Sequence, residues 1–489
     1  MVKRISAVLA GLLFAFIYTG VSMADCLKCH ADHAKGKVVH PAVQMGCEVC
    51  HTGVDASTVP HKFTGDLGLS AQPPDLCFQC HDDSSLSDKY KFHRKDVHPP
   101  VAQGMCTFCH NPHVSDNDKL LKQPAPDLCF NCHDKNEFMS KDSIHPPVKA
   151  GMCLFCHYPH SSDNDKLLQQ PVPDLCFNCH DDNDFIKKKT VHPPVLAGQC
   201  LLCHQPHQSE NDKLLRAQPP DLCFGCHDGK ALMGHRVKHP PAEGGMCLFC
   251  HKPHESDNPK LLVQMPPDLC LNCHDKSLIF GKAVGHPPVR AGLCPKCHSP
   301  HSSRYSHLLW EPPPYLCFRC HSRQQIWGGR RVHGPVKIGM CLYCHFPHQS
   351  DNDKLLRKPV PDLCFTCHSQ EVQFLPKVQH PPVAAGLCLA CHEPHTSVSP
   401  QLLVFPKVNE VCNQCHPQEV AGPHAIALTP KGHPTKGYPD PKRPHRELCC
   451  TSCHNQHGSD SVYIFRFPAK NPYDICVNCH PEEMGVLGK

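Results

Sequence analysis

Beyond its first two dozen residues the chain has no apolar run long enough to cross a bilayer, no recognisable linker and no low-complexity tail. The first absence excludes an internal membrane span, and the others exclude a string of separately folded modules. An ordinary globular core is missing too. The chain has 489 residues, and 52 of them are proline, 39 cysteine and 43 histidine, a composition unlike that of the usual two to four domains of about this total length.

Residues 1–24 contain Lys3 and Arg4, an apolar run from Ile5 to Tyr18, and Ser22-Met23-Ala24 before Asp25. This is the pattern of a signal peptide cleaved after Ala24. The alternative is an uncleaved anchor, but the run is short for a span.

What is abundant is ordered. Nineteen Cys-x-x-Cys-His motifs take up 38 of the 39 cysteines, and each motif is the attachment signature of a c-type haem. The first three are Cys26, Cys29, His30; Cys47, Cys50, His51; and Cys77, Cys80, His81. Next come Cys106, Cys109, His110; Cys129, Cys132, His133; Cys153, Cys156, His157; Cys176, Cys179, His180; Cys200, Cys203, His204; and Cys223, Cys226, His227. The series continues with Cys247, Cys250, His251; Cys270, Cys273, His274; Cys294, Cys297, His298; Cys317, Cys320, His321; Cys341, Cys344, His345; and Cys364, Cys367, His368. Last are Cys388, Cys391, His392; Cys412, Cys415, His416; Cys450, Cys453, His454; and Cys476, Cys479, His480. The cysteines form thioethers to the porphyrin, and the adjacent histidine is thereby set beneath the iron. Zinc arrays also use Cys-x-x-Cys, but nineteen motifs each ending in histidine, behind an export signal, point to haem. Only Cys449 is left over. We read Cys450 with Cys453 as the attached pair, and Cys449 as free or paired between molecules.

A leading histidine recurs every 47 residues, at His98, His145, His192, His239, His286, His333 and His380. The chain is therefore a repeat protein. After the signal peptide, residues 25–97 form an atypical three-haem unit, 98–379 six dihaem repeats, and 380–489 a divergent four-haem region. Each haem has about 25 residues of chain, too few for an unaided core. The expected fold is a haem-cored repeat protein, elongated and mostly irregular, with short α-helices on the motifs and little or no β-sheet.

The sixth ligand decides between carrier and enzyme. Each regular repeat supplies two further histidines, the leading one and one three residues after the first motif histidine, so the repeat balances its own ligand count. The candidates are His33, His40, His61, His98, His113, His145, His160, His192, His207, His239, His254, His286, His301, His333, His348, His380, His395, His433 and His457. His93, His235, His307, His424 and His445 are left as surplus. Methionine is a poor rival, because the Met preceding the first motif cysteine is replaced by Gln199, Leu293 and Leu387. Side chains three apart point the same way, about 5–6 Å apart at Cβ. His113 should therefore serve a haem other than that of His110, with neighbouring irons on the order of 10 Å apart.

Proline after the leading histidine should hold it extended, and Asp127 in Pro126-Asp127-Leu128-Cys129 should cap the second motif's helix. Ser115–Asp118 reads as a turn with self-bonding side chains, with calcium binding as the alternative.

His-Pro, Cys-x-x-Cys-His-x-Pro-His and a second Cys-x-x-Cys-His together resemble the doubled Cys-x-x-Cys-His multihaem cytochromes c across essentially all of the mature chain. The likeness is looser to cytochrome c3 and to decahaem cytochromes lodged in outer-membrane porins. The resemblance implies nineteen low-potential, low-spin bis-histidine haems c carrying respiratory electrons outward in metal-reducing bacteria. The expected function is a non-enzymatic conduit, exported to the periplasm or associated with the outer membrane or cell exterior. Its partners would be redox cytochromes or a porin-type complex, with self-association as a further option and no nucleic acid. The alternative is a multihaem reductase of nitrogen or sulfur oxyanions with one open iron, although no Cys-x-x-Cys-Lys motif marks such a site.

The formal charge of +4 does not describe the holoprotein. Without Lys3 and Arg4, and with two propionates per haem, it falls to about −36 when reduced and about −17 when oxidised, both upper bounds because crowded carboxylates retain protons. Isoelectric focusing should therefore place the holoprotein well below the sequence pI of 7.9, and lower still after reduction.

Overall fold

A computed structural model describes residues 23–84, 86–87, 90–369, 376–421, 424 and 432–481. Most of the signal segment therefore lies outside the described residues. The elements are many and short: helical turns of three to seven residues, and strands of two residues with one of five. No described helix is long and apolar enough to cross a membrane.

The local sequence explains this brevity. His98 is extended (φ −58°, ψ 127°), and proline at the next position, with its fixed φ and missing N–H, starts the one-turn helix Pro99–Ala102. Gly104 ends the turn at φ +68°, and the motif helix Cys106–Cys109 follows. His110 leaves that helix extended and bridges Leu121. The loop between them closes through Ser115, whose hydroxyl donates to the Leu121 carbonyl (2.5 Å), and Asn117, whose amide does the same (3.0 Å). Ser115 and Asn117 thus bond to their own backbone, as a self-bonding turn requires. The second motif helix, Asp127–Phe130, has Pro126 at its N-cap and no side-chain cap bond. Asp127 is already the first helical residue, so it does not cap as its sequence position suggests. Its carboxylate instead adds negative charge at the helix's positive end.

Each two-residue strand before a leading histidine pairs with one in the following repeat. Asp96–Val97 pairs antiparallel with Ser161–Ser162, Ser143–Ile144 with Gln208–Ser209, and Val284–Gly285 with Gln349–Ser350. At the same junction the His98 backbone N–H donates to the His160 carbonyl (2.8 Å), as His145 does to His207 and His286 to His348. These junctions hold the most deeply buried side chains, among them Ser161, Ser162, Ser256 and Ser350, whereas the buried hydrophobic residues are Val43, Leu448 and Phe465. Among the described residues, polypeptide packs on polypeptide through polar clips rather than through an apolar core. Phe108, Phe155, Phe249 and Tyr343, all inside motifs, are exposed by 60–70%, which leaves apolar surface at the places where a porphyrin attaches.

The chain divides into two units, one formed by residues up to Cys226 together with His251–Leu262, the other by His227–Cys250 and residues from Val263 onward. Residues 251–262 join the first unit because Glu255–Ser256 pairs with Thr190–Val191.

The turn glycine is sterically specified. At Gly198 (φ +69°) a Cβ would stand 2.6 Å from Pro173 Cδ, whereas at Gly334 it would meet nothing within 4 Å. Gly198→Ala should cost about 1–3 kcal/mol and lower the denaturation midpoint of the holoprotein followed by Soret absorption, while Gly334→Ala should leave it unchanged.

Candidate haem sites

In the first motif of a pair a helical turn such as Cys106–Cys109 or Cys341–Cys344 spans both cysteines and the histidine leaves it extended, as His110, His345 and His454 do, whereas the second-motif helices such as Asp127–Phe130 carry only the first cysteine. None of the 39 cysteines is paired in a disulfide, which leaves every motif cysteine available for a thioether. From His110 on, the first-motif histidine Nδ1 bonds to a backbone carbonyl nine residues on, as His110 to Lys119 (2.8 Å), His157 to Lys166 (2.9 Å), His345 to Lys354 (2.9 Å) and His454 to Tyr463 (2.9 Å), whereas His51 bonds to Leu67 (3.0 Å). Lys119 and Leu120 sit at φ +61° and +58°, and the same left-handed pair recurs through Lys354 and Leu355. Non-glycine residues in this region are strained, and here the strained turn aims the carbonyl at the ring. The leading histidines are oriented in the same way from the next repeat, His98 Nδ1 by the Pro159 carbonyl (3.1 Å) and His286 by Pro347 (3.0 Å). Using Nδ1 as the donor leaves the Nε2 lone pair free to bind metal.

The rings come together by two fixed steps. A leading histidine faces the second motif histidine of its own repeat: His98 faces His133, His145 His180, His239 His274, His286 His321, His333 His368 and His380 His416, with centroids 6.1–6.2 Å apart and planes within 25°. The histidine following a first motif faces the first motif of the preceding repeat: His160 faces His110, His207 His157, His254 His204, His348 His298, His395 His345 and His457 His392, at 6.0–6.1 Å with planes 33–50° apart. So a repeat balances its ligand count but closes only one of its own ring pairs. In the irregular N-terminal segment His113 faces His51 (6.1 Å), His40 faces His81 (5.9 Å) and His61 faces His30 (6.0 Å).

These spacings fit haem. Two imidazoles on opposite sides of one iron, with metal–nitrogen bonds of ~2 Å and ring centres ~1.2 Å further out, have centroids ~6.3 Å apart. Burial holds His98, His113, His160, His254 and His395, among others, below the ordinary imidazole range, which favours the neutral, metal-binding form.

Two placements differ from the sequence expectation. Among the described residues His33 faces no motif histidine of another segment. It lies three residues from His30 (5.9 Å) and tilts against His113 at 4.5 Å. His424, counted as surplus, faces His454 at 6.0 Å, and His433 faces His480 at 6.4 Å. Only position in an insertion with no fixed register marks His424, so repeat arithmetic passes over it. Of the other surplus residues, His93 bonds to Asp83 (3.1 Å) and His307 supplies the carbonyl for His298 Nδ1 (2.8 Å). Neither His235 nor His445 faces a motif ring among the described residues. His192 and His301 are placed by their backbones, His192 N–H donating to His254 and His301 accepting from His239 (2.8 Å each).

Successive motifs also come close through their first cysteines. In the first unit Cys26 is within hydrogen-bonding reach of Cys47, Cys77 of Cys106, Cys129 of Cys153 and Cys176 of Cys200. In the second unit the same holds for Cys270 with Cys294, Cys317 with Cys341, Cys364 with Cys388 and Cys412 with Cys450.

Short helical turns, polar clips and paired histidines flanking Cys-x-x-Cys motifs define a multihaem c-type cytochrome, an electron-transport protein with covalently bound haem. The chain belongs to the doubled CXXCH motif family, which matches residues 40–86, 98–138, 145–185, 192–232, 239–278, 286–326, 333–373, 380–421 and 443–485. It is also similar to the multiheme cytochrome MtrA of Shewanella baltica (strain OS185), 32% identical over 114 residues that make up 22% of this chain and 31% of the relative. The chain thus spans about a third of that relative's length.

Cys450 adjoins Cys412 as Cys153 adjoins Cys129, while the Cys449 thiol lies 3.3 Å from the Thr451 hydroxyl. Peptide mapping should find haem on Cys450 and Cys453, and Cys449 open to alkylation.

Proposed function

We propose that the chain is a non-enzymatic electron conduit carrying nineteen haems c, each attached at one Cys-x-x-Cys-His motif and held between two histidines. The facing ring pairs support the following assignment of axial ligands. His61, His113 and His40 serve the haems of His30, His51 and His81; within the repeats the leading and following histidines serve by their two steps; and His424 and His433 serve those of His454 and His480. Bound haem supplies a reversible one-electron couple. The polypeptide orients rings through Nδ1–carbonyl bonds such as His110 to Lys119, and burial favours the neutral form of His98, His113 and His160.

One observation carries this reading. Seventeen of the nineteen motif histidines face a second histidine ring at 5.9–6.4 Å. A reductase needs an iron with an open position, whereas these rings occupy both axial sides, which favours transfer over substrate chemistry. The signal segment, the acidic holoprotein and the likeness to a multiheme cytochrome support export and extracellular or metal respiration. The fitting partners are other cytochromes or an outer-membrane porin-type complex.

Intact mass should show nineteen haems, and electron paramagnetic resonance should show only low-spin iron. His424→Ala should convert one haem to high spin, while His33→Ala converts none. A high-spin wild-type haem that binds and reduces nitrite would replace the conduit with the reductase.

A further inference from the structure

The connection before the ninth motif pair is longer than in the repeats. His133 and Cys153 are 20 positions apart, whereas His416 and Cys450 are 34 apart. The added chain changes how the last two ring pairs meet: His424 crosses His454 at 66° and His433 crosses His480 at 80°. The other ring pairs described above lie between 9° for His239 with His274 and 50° for His110 with His160.

For an iron held between two imidazoles this angle has an electronic meaning. Each ring donates π density into the iron d orbital that lies perpendicular to its plane. Rings near one plane raise the same orbital and split the pair, and the single hole of low-spin ferric iron is stabilised in the raised one. Crossed rings raise both orbitals alike, so that stabilisation is lost. Low-spin ferrous iron fills both orbitals and is indifferent to the splitting. Crossing therefore favours the ferrous state.

The motif of Cys450 and Cys453 is also covered by protein. Its inner residue Ser452 is 8% exposed, whereas Phe108, Phe155, Phe249 and Tyr343, at the same place in their motifs, are 60–70% exposed. The cover is a hairpin in which Pro439–Asp440 pairs with Arg443–Glu447, anchored where the Ser452 hydroxyl donates to the Asp440 carboxylate (2.7 Å). On the other side Phe465 bridges His454 where the repeats use leucine, as Leu121 does at His110. Phe465 is 7% exposed, and its ring stacks on His454 at 5.2 Å. Ferric iron carries one more positive charge than ferrous iron, so withdrawing the site from water favours reduction. The buried carboxylate of Asp440 does not oppose this, because Arg443 pairs with it at 2.7 Å. The motif of His480 shares the crossed rings but is more open, with Val477 48% exposed.

We propose that the haem of His454, with His424 as its second ring, is the highest-potential haem of the chain and the place where an electron comes to rest. The proposal rests on the conduit reading above and gives that conduit a direction. In the step one electron leaves a neighbouring ferrous haem and enters the ferric haem of His454, so one iron is oxidised by one and the other reduced by one, with no bond broken and no proton moved. Phe465 is a positioning residue that acts through His454.

The test is a redox titration of the holoprotein followed by electron paramagnetic resonance, which reads ring crossing independently of potential. Near-degenerate orbitals give a strongly axial low-spin signal with a larger maximum g than the rhombic signals of the repeats. The oxidised protein should show two such spins. His424→Ala should remove one and His433→Ala the other, while His160→Ala, in a regular repeat, should remove neither. The spin lost in His424→Ala should be the first to disappear on reduction, with a ratio of reduced to oxidised iron at least about tenfold that of the rhombic haems, or about 59 mV for a one-electron couple. Phe465→Leu should keep the haem content and the axial signal but shift that haem toward the potential of the rhombic set. Absence of an axial signal in the wild type, its survival in His424→Ala together with His433→Ala, or reduction of the His454 haem with or after the rhombic haems would overturn the proposal while leaving the conduit standing. A high-spin wild-type iron that reduces nitrite would remove the conduit and the proposal with it.

Discussion

The structure depends on one recurring junction, in which a leading histidine is gripped by the loop of the next repeat. At His98 the backbone N–H donates to the His160 carbonyl and the ring Nδ1 bonds to the Pro159 carbonyl. His98 faces His133 and His160 faces His110. A single clip therefore fixes the second ring for both motifs of the repeat between them. With each hydrogen bond worth about 1 kcal/mol net, the clips alone are weak, and covalent haem with two axial bonds would supply the remaining cohesion.

This arrangement explains why serine, rather than leucine, is buried between segments. A two-residue strand offers few backbone bonds, and a buried hydroxyl such as Ser162, donating to the Leu168 carbonyl, completes the pairing without bulk. Apolar side chains are thereby left for the motif faces, where Phe155 and Phe249 remain uncovered by protein. The two faces of the economy are linked: polar contacts join polypeptide to polypeptide, and apolar contacts are reserved for porphyrin.

The C-terminal region keeps the contact between successive motifs but lengthens the connection. Cys412 still meets Cys450, while the longer connection carries His424 and His433 to the rings of His454 and His480. Asp440 spends its charge inside the hairpin, on Arg443 and Ser452, and anchors it to the motif of Cys450 and Cys453.

Much of this was legible in the chain itself. Nineteen motifs, the 47-residue step and the recurring histidines mark the candidate attachment sites, set the repeat class and supply nearly all of the rings that face one another, because a cofactor tied through Cys-x-x-Cys-His leaves its signature in contiguous residues. His113 does face a ring other than His110's partner, but not by helical spacing, since His110 leaves its turn extended. Only the tertiary structure decided that the second ring of each first motif arrives from the following repeat, that Pro126 rather than Asp127 stands at the helix cap, and that His424 rather than His33 faces a motif from another segment among the described residues. These outcomes depend on which strands pair and how a loop folds back across some fifty to sixty residues, and such register is set by three-dimensional closure instead of by any local residue pattern.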